Sequence, residues 1–237
     1  MKLPRKTLEK NLFKSGYRLI YAVDEVGMGC LAGPVVVCAV ATTNQFYKKA
    51  HKKLRWLRDS KLLSAKQRER FANELLSLLN IGCLTSVAYC HPKTIDKLNI
   101  YNAARQAMKR AVDKLSGSCP SSPHGYSINF RAHGVPSRVT PPTCCIVLVD
   151  GKTKIKGLDM EQMAIVKGDR KVFAIACASI IAKVHRDKMM ARYAKKYPGY
   201  GFEKHKGYGT KLHQAQLTKL GPSAIHRKSF APIVKML

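Results

Sequence analysis

Two adjacent carboxylates, Asp24 and Glu25, stand between two apolar runs, and few folds can accommodate that arrangement. The stretch Tyr21 to Val40 reads YAVDEVGMGCLAGPVVVCAV. Leu19 to Val23 leads into the acids, Gly27 and Gly29 follow them, and Gly33-Pro34 opens a second run, Val35 to Val40, too short and too rich in valine for a helix. The pattern predicts strand, glycine turn, strand. Side chains on a regular strand alternate faces, so the acids are expected to converge where the first strand ends and bends, with the glycines supplying the bend. Two carboxylates in an apolar surrounding repel each other unless a proton or cation lies between them, and a divalent metal is the usual answer. A solvated charged turn is the plain alternative. Gly27, Gly29 and Ala32 also fit the G-x-G-x-x-A spacing of a dinucleotide site. That motif must open a helix and needs an acid about 20 residues further on. Val35 to Val40 reads as strand, and residues 42–53 contain no acid.

The remaining chain reads as further pieces of an α/β domain. Ser64 is the expected N-cap of a helix carrying Phe71, Leu75, Leu78 and Leu79. Cys83 to Cys90 reads as a third strand that Pro92 stops, and Asn99 to Leu115 as an amphipathic helix. Cys144 to Val149 is a continuous apolar strand ending in Asp150-Gly151, and the carboxyl end of a buried strand is where open α/β sheets place ligands. On that motif alone an Asp-Gly turn is an equal reading. Met163 to Val166 reads as a fifth strand. A helix is expected from about Arg170 to Lys195, with Asp187 on an Arg186-Asp187-Lys188 run that by itself reads as a solvated ion pair. Residues 116–143 are rich in glycine, serine and proline and read as a long loop.

Charge narrows the partners. The 237 residues carry 43 Lys and Arg against 14 Asp and Glu, a formal net charge of +29, far beyond what solubility needs. With 46% hydrophobic residues this is a folded basic protein, and nucleic acid is the expected partner. Tyr47 to Arg58 interleaves cations with Trp56, which suits a nucleic-acid groove and an amphipathic surface helix equally well. No stretch approaches the roughly 20 apolar residues of a membrane span, and the basic start lacks a signal core. The eight cysteines form no C-x-x-C pair, which points to a reducing cytoplasm.

The motifs, taken in order, resemble the ribonuclease HII family. They are DEVGMG (Asp24 to Gly29), LAGPVV (Leu31 to Val36), DSK (Asp59 to Lys61), LNI (Leu98 to Ile100), VDG (Val149 to Gly151), VKGD (Val166 to Asp169), ASIIAKVHRD (Ala178 to Asp187), HKGYGT (His205 to Thr210) and HRKSF (His226 to Phe230). The resemblance implies a mixed five-stranded sheet flanked by helices, with a catalytic domain over residues 1–195 and a small basic helical region over 196–237. It implies that Asp24, Glu25, Asp150 and Asp187 bind Mg²⁺ or Mn²⁺. The substrates implied are RNA/DNA hybrids and duplex DNA with an embedded ribonucleotide, cut by a monomer on the 5′ side to leave 5′-phosphate and 3′-hydroxyl ends. Gly27, Met28, Gly29, Ser60, Lys61, Lys167 and Tyr208 are the implied substrate contacts. Met28 stands where most relatives carry arginine, and Cys30 replaces a usual proline. The same acid-glycine start occurs in ribonuclease HIII, and a binding protein of the same fold with weakened hydrolysis is the reading from another class.

Overall fold

The structure is a computed structural model that describes residues 3–79, 81–116 and 144–237. Five strands form one sheet in the order β3-β2-β1-β4-β5: β1 Leu19–Val26, β2 Val35–Thr42, β3 Cys83–Cys90, β4 Cys145–Asp150 and β5 Glu161–Ile165. The run β1-β2-β3 is antiparallel, β4 lies parallel to β1 after a helical crossover, and β5 lies parallel to β4 after the non-helical residues 151–160. β1 therefore lies at the centre with one antiparallel and one parallel neighbour. β5 begins two residues earlier than the expected Met163.

Alternation along β1 sorts its side chains to two cores. Leu19, Tyr21 and Val23 pack on one face with Ala103, Ala107, Ala111 and Val112 of α5 (Ile100–Ser116). Ile20 and Ala22 face the other side with Ala174 and Ile175 of α7 (Phe173–Lys196). On that second side Cys38 and Val40 of β2 meet α7, α2 (Asn44–Lys53) and α3 (Ala65–Leu76). The small residues Ala174, Ala178 and Ala182 of α7 let it lie close to the sheet. Ser64 caps α3 in a full capping box with Gln67, as expected.

Three boundaries differ from the sequence reading. Pro92 opens a helix, α4 (Pro92–Leu98), because its missing N–H costs nothing in the first turn. Asn99, at φ 64°, separates α4 from α5, and its Oδ1 accepts the Asn102 N–H. The long helix expected from Arg170 is two pieces, α6 (Gly168–Lys171) and α7, broken at Val172. Val172 is extended because it forms a parallel bridge with Arg5, and the buried Glu9 of α1 (Thr7–Lys14) accepts the Ala174 N–H at 3.0 Å, capping α7 from another element.

The basic segment after β2 follows its surface-helix reading at Phe46, Tyr47 and Ala50, which are buried, while Trp56 is exposed and stacks with Arg55. Tyr47 bonds Thr42 at the end of β2 remote from the acids. The long loop lies outside the described residues from 117 onward. Cys30, Cys38, Cys83, Cys90 and Cys177 are buried thiols, whereas Cys145 is disulfide-bonded, unlike the free thiols the composition led us to expect. Among the described residues no helix is long and apolar enough to cross a membrane.

Residues after α7 form α8 (Phe202–His205), α9 (Lys211–Leu220) and α10 (Ala231–Val234). They pack on Leu31, Ala32 and Met190 through Tyr200, Phe202, Leu217, Ile225 and Ile233. Asp96 of α4 accepts three hydrogen bonds from Lys228 N, Ser229 N and Ser229 Oγ, fastening HRKSF to the sheet domain.

Candidate active site

β1 and β4 are parallel neighbours with Val23 opposite Val149, so Asp24 and Asp150 occupy adjacent positions at the same end of the sheet. The acids do not wait for the strand to end, as expected, because β1 continues through Val26. Asp24 instead continues the α7 face of Ile20 and Ala22, and Glu25 follows on the other face, two residues before the bend at Gly27. Burial pushes the Asp24 carboxyl well above its ordinary range, Glu25 and Asp150 push it further, and the Ser179 hydroxyl of α7 partly offsets them. Burial, with Asp150 beside it, raises Glu25 to about 7, and Lys61 opposes the shift. Glu25 Oε2 is buried without a partner. Asp150 accepts the Gly168 N–H at 2.6 Å, which ties the end of β4 to the start of α6.

Asp187 is placed differently. It lies on α7 in ion pairs with Lys183, at 2.8 Å, and with Arg68 of α3, at 3.6 Å. The neighbours in sequence are not its partners: Arg186 is fully buried and turns the other way. Among the described residues no three acid, histidine or cysteine side chains enclose a ready cation site as they stand. The donor set nevertheless suits a hard divalent cation, since Asp24, Glu25 and Asp150 offer only carboxylate oxygens and one buried oxygen of Glu25 is unpartnered.

Asp169 escaped the sequence reading as a site residue. It is buried at the start of α6, its carboxyl is raised by burial, and its charge acts on both Asp24 and Glu25. Its position in the VKGD motif beside Gly168 was the available signal. Lys61 Nζ lies 3.5 Å from Asp169, so the mostly exposed lysine of the DSK motif reaches the acid cluster. Asp59 fixes that motif by accepting Lys61 N–H at 2.9 Å and pairing with Arg170 at 2.9 Å. Ser60 is buried and its hydroxyl meets Ser179 Oγ at 2.9 Å, so it stands beneath the site as a support for α7. Lys167 is exposed at the turn before α6, in the left-handed conformation.

The glycine turn is held from behind by two buried arginines. Arg227 donates to the carbonyls of Gly33 at 3.0 Å, Met28 at 2.9 Å and Gly27 at 2.6 Å. Arg186 donates to Pro34, Ala32 and Lys206 carbonyls. Gly27 has φ 94°, and a Cβ there would overlap the Arg186 guanidinium, which leaves glycine as the residue that fits. With the turn's carbonyls drawn inward, no backbone carbonyl among the described residues accepts from the N–H of Met28 or Gly29. The Met28 side chain packs partly buried against the α5 core. Tyr208 forms an antiparallel bridge with Cys30, while Leu31 N donates to Gly207 O at 2.8 Å, stitching HKGYGT to the turn. The Tyr208 ring lies near Lys183 and Arg186, and burial raises its phenol to about 12.

The fold, a central mixed sheet flanked by helices, is shared with solved ribonucleases H2 and HIII. The ribonuclease H2 of Pyrococcus horikoshii OT3 superposes with a TM-score of 0.65 at 22% identity, covering 92% of this chain and 96% of that one. Bst-RNase HIII in complex with Mn²⁺ superposes with a TM-score of 0.67 at 16% identity, covering 95% of this chain and 71% of that one. The backbone alone therefore fits both ribonuclease groups, and sequence separates them. The model of the family "Ribonuclease HII" matches residues 22–233, and the chain belongs to that family. The Ribonuclease HII of Carboxydothermus hydrogenoformans is 41% identical over 226 residues, spanning 95% of this chain and 83% of that relative. The protein is accordingly an endonuclease of the ribonuclease H type, acting on the RNA of RNA/DNA hybrids.

Proposed function

We propose that this enzyme is a metal-dependent endoribonuclease that also nicks duplex DNA on the 5′ side of an embedded ribonucleotide, leaving 5′-phosphate and 3′-hydroxyl ends. The observation that carries the reading is the crowding of buried carboxylates at the end of two parallel strands, where Glu25 and Asp150 act on Asp24 and Asp150 acts on Glu25, with an unpartnered Glu25 oxygen among them. Asp24, Glu25, Asp150 and Asp187 would hold Mg²⁺ or Mn²⁺, Asp187 by exchanging its Lys183 and Arg68 partners. When bound, the metal supplies the Lewis acidity that lowers the pKa of water and offsets charge on the leaving oxygen.

The protein's own groups do the rest. Lys61 and Lys167 are exposed cations beside the acids and meet backbone phosphates, which position a strand without reading its sequence. The outward N–H groups of the Gly27-Met28-Gly29 turn approach the ribose 2′-OH, the group that separates RNA from DNA at one nucleotide. Tyr208, fastened beside that turn, stacks on the adjoining sugar. Because Arg227 holds the Met28 carbonyl, the turn keeps its shape whatever side chain residue 28 carries. The enzyme acts as a monomer in the cytoplasm.

The deciding experiment is cleavage of a duplex with one embedded ribonucleotide, compared with a continuous hybrid, with Mg²⁺, with Mn²⁺ and with chelator. Cleavage that persists in chelator defeats the metal assignment. Binding without cleavage under all conditions leaves a nucleic-acid-binding protein of this fold.

A further inference from the structure

Beneath Tyr208 lie three buried histidines that the reaction does not use. His205 belongs to α8, His213 to α9 and His226 to the loop before α10. The rings of His205 and His213 stack at 4.3 Å, His226 follows at 5.3 Å from His213, and Phe202 lies within 6 Å of each of the three. Every ring nitrogen has a partner, and backbone donors fix where each proton sits.

Ser223 N–H points at His226 Nδ1 at 2.8 Å, with the Ser223 hydroxyl at 2.9 Å. A backbone N–H only donates, so His226 Nδ1 is bare and its proton is on Nε2. That proton is directed at His213 Nε2, 3.0 Å away, which must then be bare as well. His213 consequently carries its proton on Nδ1 and donates to the Tyr208 carbonyl at 2.9 Å. His205 is ordered in the same way, since its Nδ1 accepts Gly207 N–H at 3.1 Å and its Nε2 donates to the Tyr200 carbonyl at 2.7 Å.

We propose that His213 and His226 are positioning residues for ribonucleotide discrimination: a neutral imidazole pair with one proton order, running from Ser223 to the Tyr208 carbonyl, that sets the height of Tyr208 against the glycine turn. The proposal rests on the reading of Tyr208 as the sugar contact. Two features support it. The strut ends on the backbone of Tyr208 itself, whose N–H is in turn taken by the His205 carbonyl at 3.0 Å. Charge is also excluded from the pair, because burial lowers both His213 and His226 to about 4, with His205 pressing on both and His213 on His226. Of the cations packed nearby, Arg227 is turned to the Gly27, Met28 and Gly33 carbonyls and Arg186 to those of Ala32, Pro34 and Lys206. A proton added to His213 sets its Nε2–H against that of His226 at 3.0 Å, and one added to His226 Nδ1 sets it against the Ser223 N–H at 2.8 Å, so either breaks the strut.

The test has a spectroscopic and a kinetic arm. In full-length protein with ¹⁵N-labelled histidine, long-range ¹H-¹⁵N correlation at pH 7 should show the Nδ1-H tautomer for His213 and the Nε2-H tautomer for His226. Opposite tautomers, or a charged ring, overturn the proposal even if no variant folds. In the kinetic arm, His213→Phe keeps a ring but removes both bonds, whereas His213→Asn keeps a donor near the Nδ1 position. His213→Phe should reduce the preference for a single-ribonucleotide duplex over all-DNA by about tenfold, the worth of one buried hydrogen bond. The loss should appear mainly in KM, and His213→Asn should recover most of it. Tyr208→Ala runs alongside. If it leaves the preference unchanged, the reading of Tyr208 fails and takes the proposal with it. If Tyr208→Ala loses preference while a folded His213→Phe keeps it, the strut alone is refuted.

Discussion

The Gly27 carbonyl accepts a 2.6 Å hydrogen bond from Arg227 Nη2, a contact between residues 200 positions apart. The last part of the chain thereby braces the turn that follows the acid pair near its beginning. Arg227 has its guanidinium lowered to about 10 by burial, and it offsets that burial through three carbonyl bonds. Arg227→Met leaves those carbonyls unpaired in the interior. The expected loss is about 3 kcal/mol of stability, read from the denaturant midpoint, with ribonucleotide preference falling in the fraction that remains folded. Unchanged stability would show that the turn holds its own shape.

Asp24→Asn should lower turnover on the order of 10³-fold or more while leaving substrate affinity largely intact, because affinity comes from Lys and Arg contacts to phosphate. Anisotropy titrations at fixed salt beside single-turnover cleavage check this. Affinity that falls in step with rate would contradict it.

Glu25 sets a pH dependence of stability whose sign follows from its raised carboxyl, at about 7 against an ordinary 4.5. Between those values the folded protein binds more protons than the unfolded chain, so stability falls as pH rises through the window. Glu25→Gln removes the penalty. Without added metal it should melt higher than the parent at pH 8 and show little difference at pH 4.5. A variant that gains nothing at pH 8 would mean the carboxylate is already compensated.

The histidine pair acts on the acid side. His213 and His226 are lowered to about 4 from 6.5, so the unfolded chain binds more protons between those values and stability drops as pH falls from 6.5 toward 4. Thermal melts of the parent and His213→Phe across that range should differ in slope, the variant being flatter. Parallel slopes would place the acid sensitivity elsewhere.

Met28→Arg adds a cation at the turn. It should tighten binding to all duplexes and steepen the salt dependence by about one phosphate contact, with little change in ribonucleotide preference if the turn reads through its backbone as proposed. Tyr208→Ala should cost on the order of 1 to 3 kcal/mol and lower that preference. Cleavage of single-ribonucleotide and continuous hybrid substrates over a salt series separates the two. A Met28→Arg enzyme that gains preference at constant salt slope would assign the reading to the side chain.

What could be read from residues alone was local or periodic. Asp24 and Asp150 stood out because each follows an apolar run, and the order of strands and helices followed from hydrophobic period. Long-range placement was not legible. Arg186 and Arg227 look like surface cations in a basic sequence, yet both are buried donors to the glycine loop. Asp187 looked paired with its sequence neighbours, but its partners are Lys183, one helical turn back, and Arg68 on another helix. The break at Val172 was hidden because its cause is Arg5, far away in the chain.

The parallel pairing of β1 with β4 also orders events in time. β2 follows β1 directly after the glycine turn and β3 joins them after α2 and α3, whereas β4 is made only after α4 and α5 and must then return to lie beside β1. A nascent chain that has emerged only as far as α5 therefore holds Asp24 and Glu25 without Asp150. On the proposed site, the cutting edge is synthesised in separate pieces and is complete only once β4 and α7 have joined the sheet.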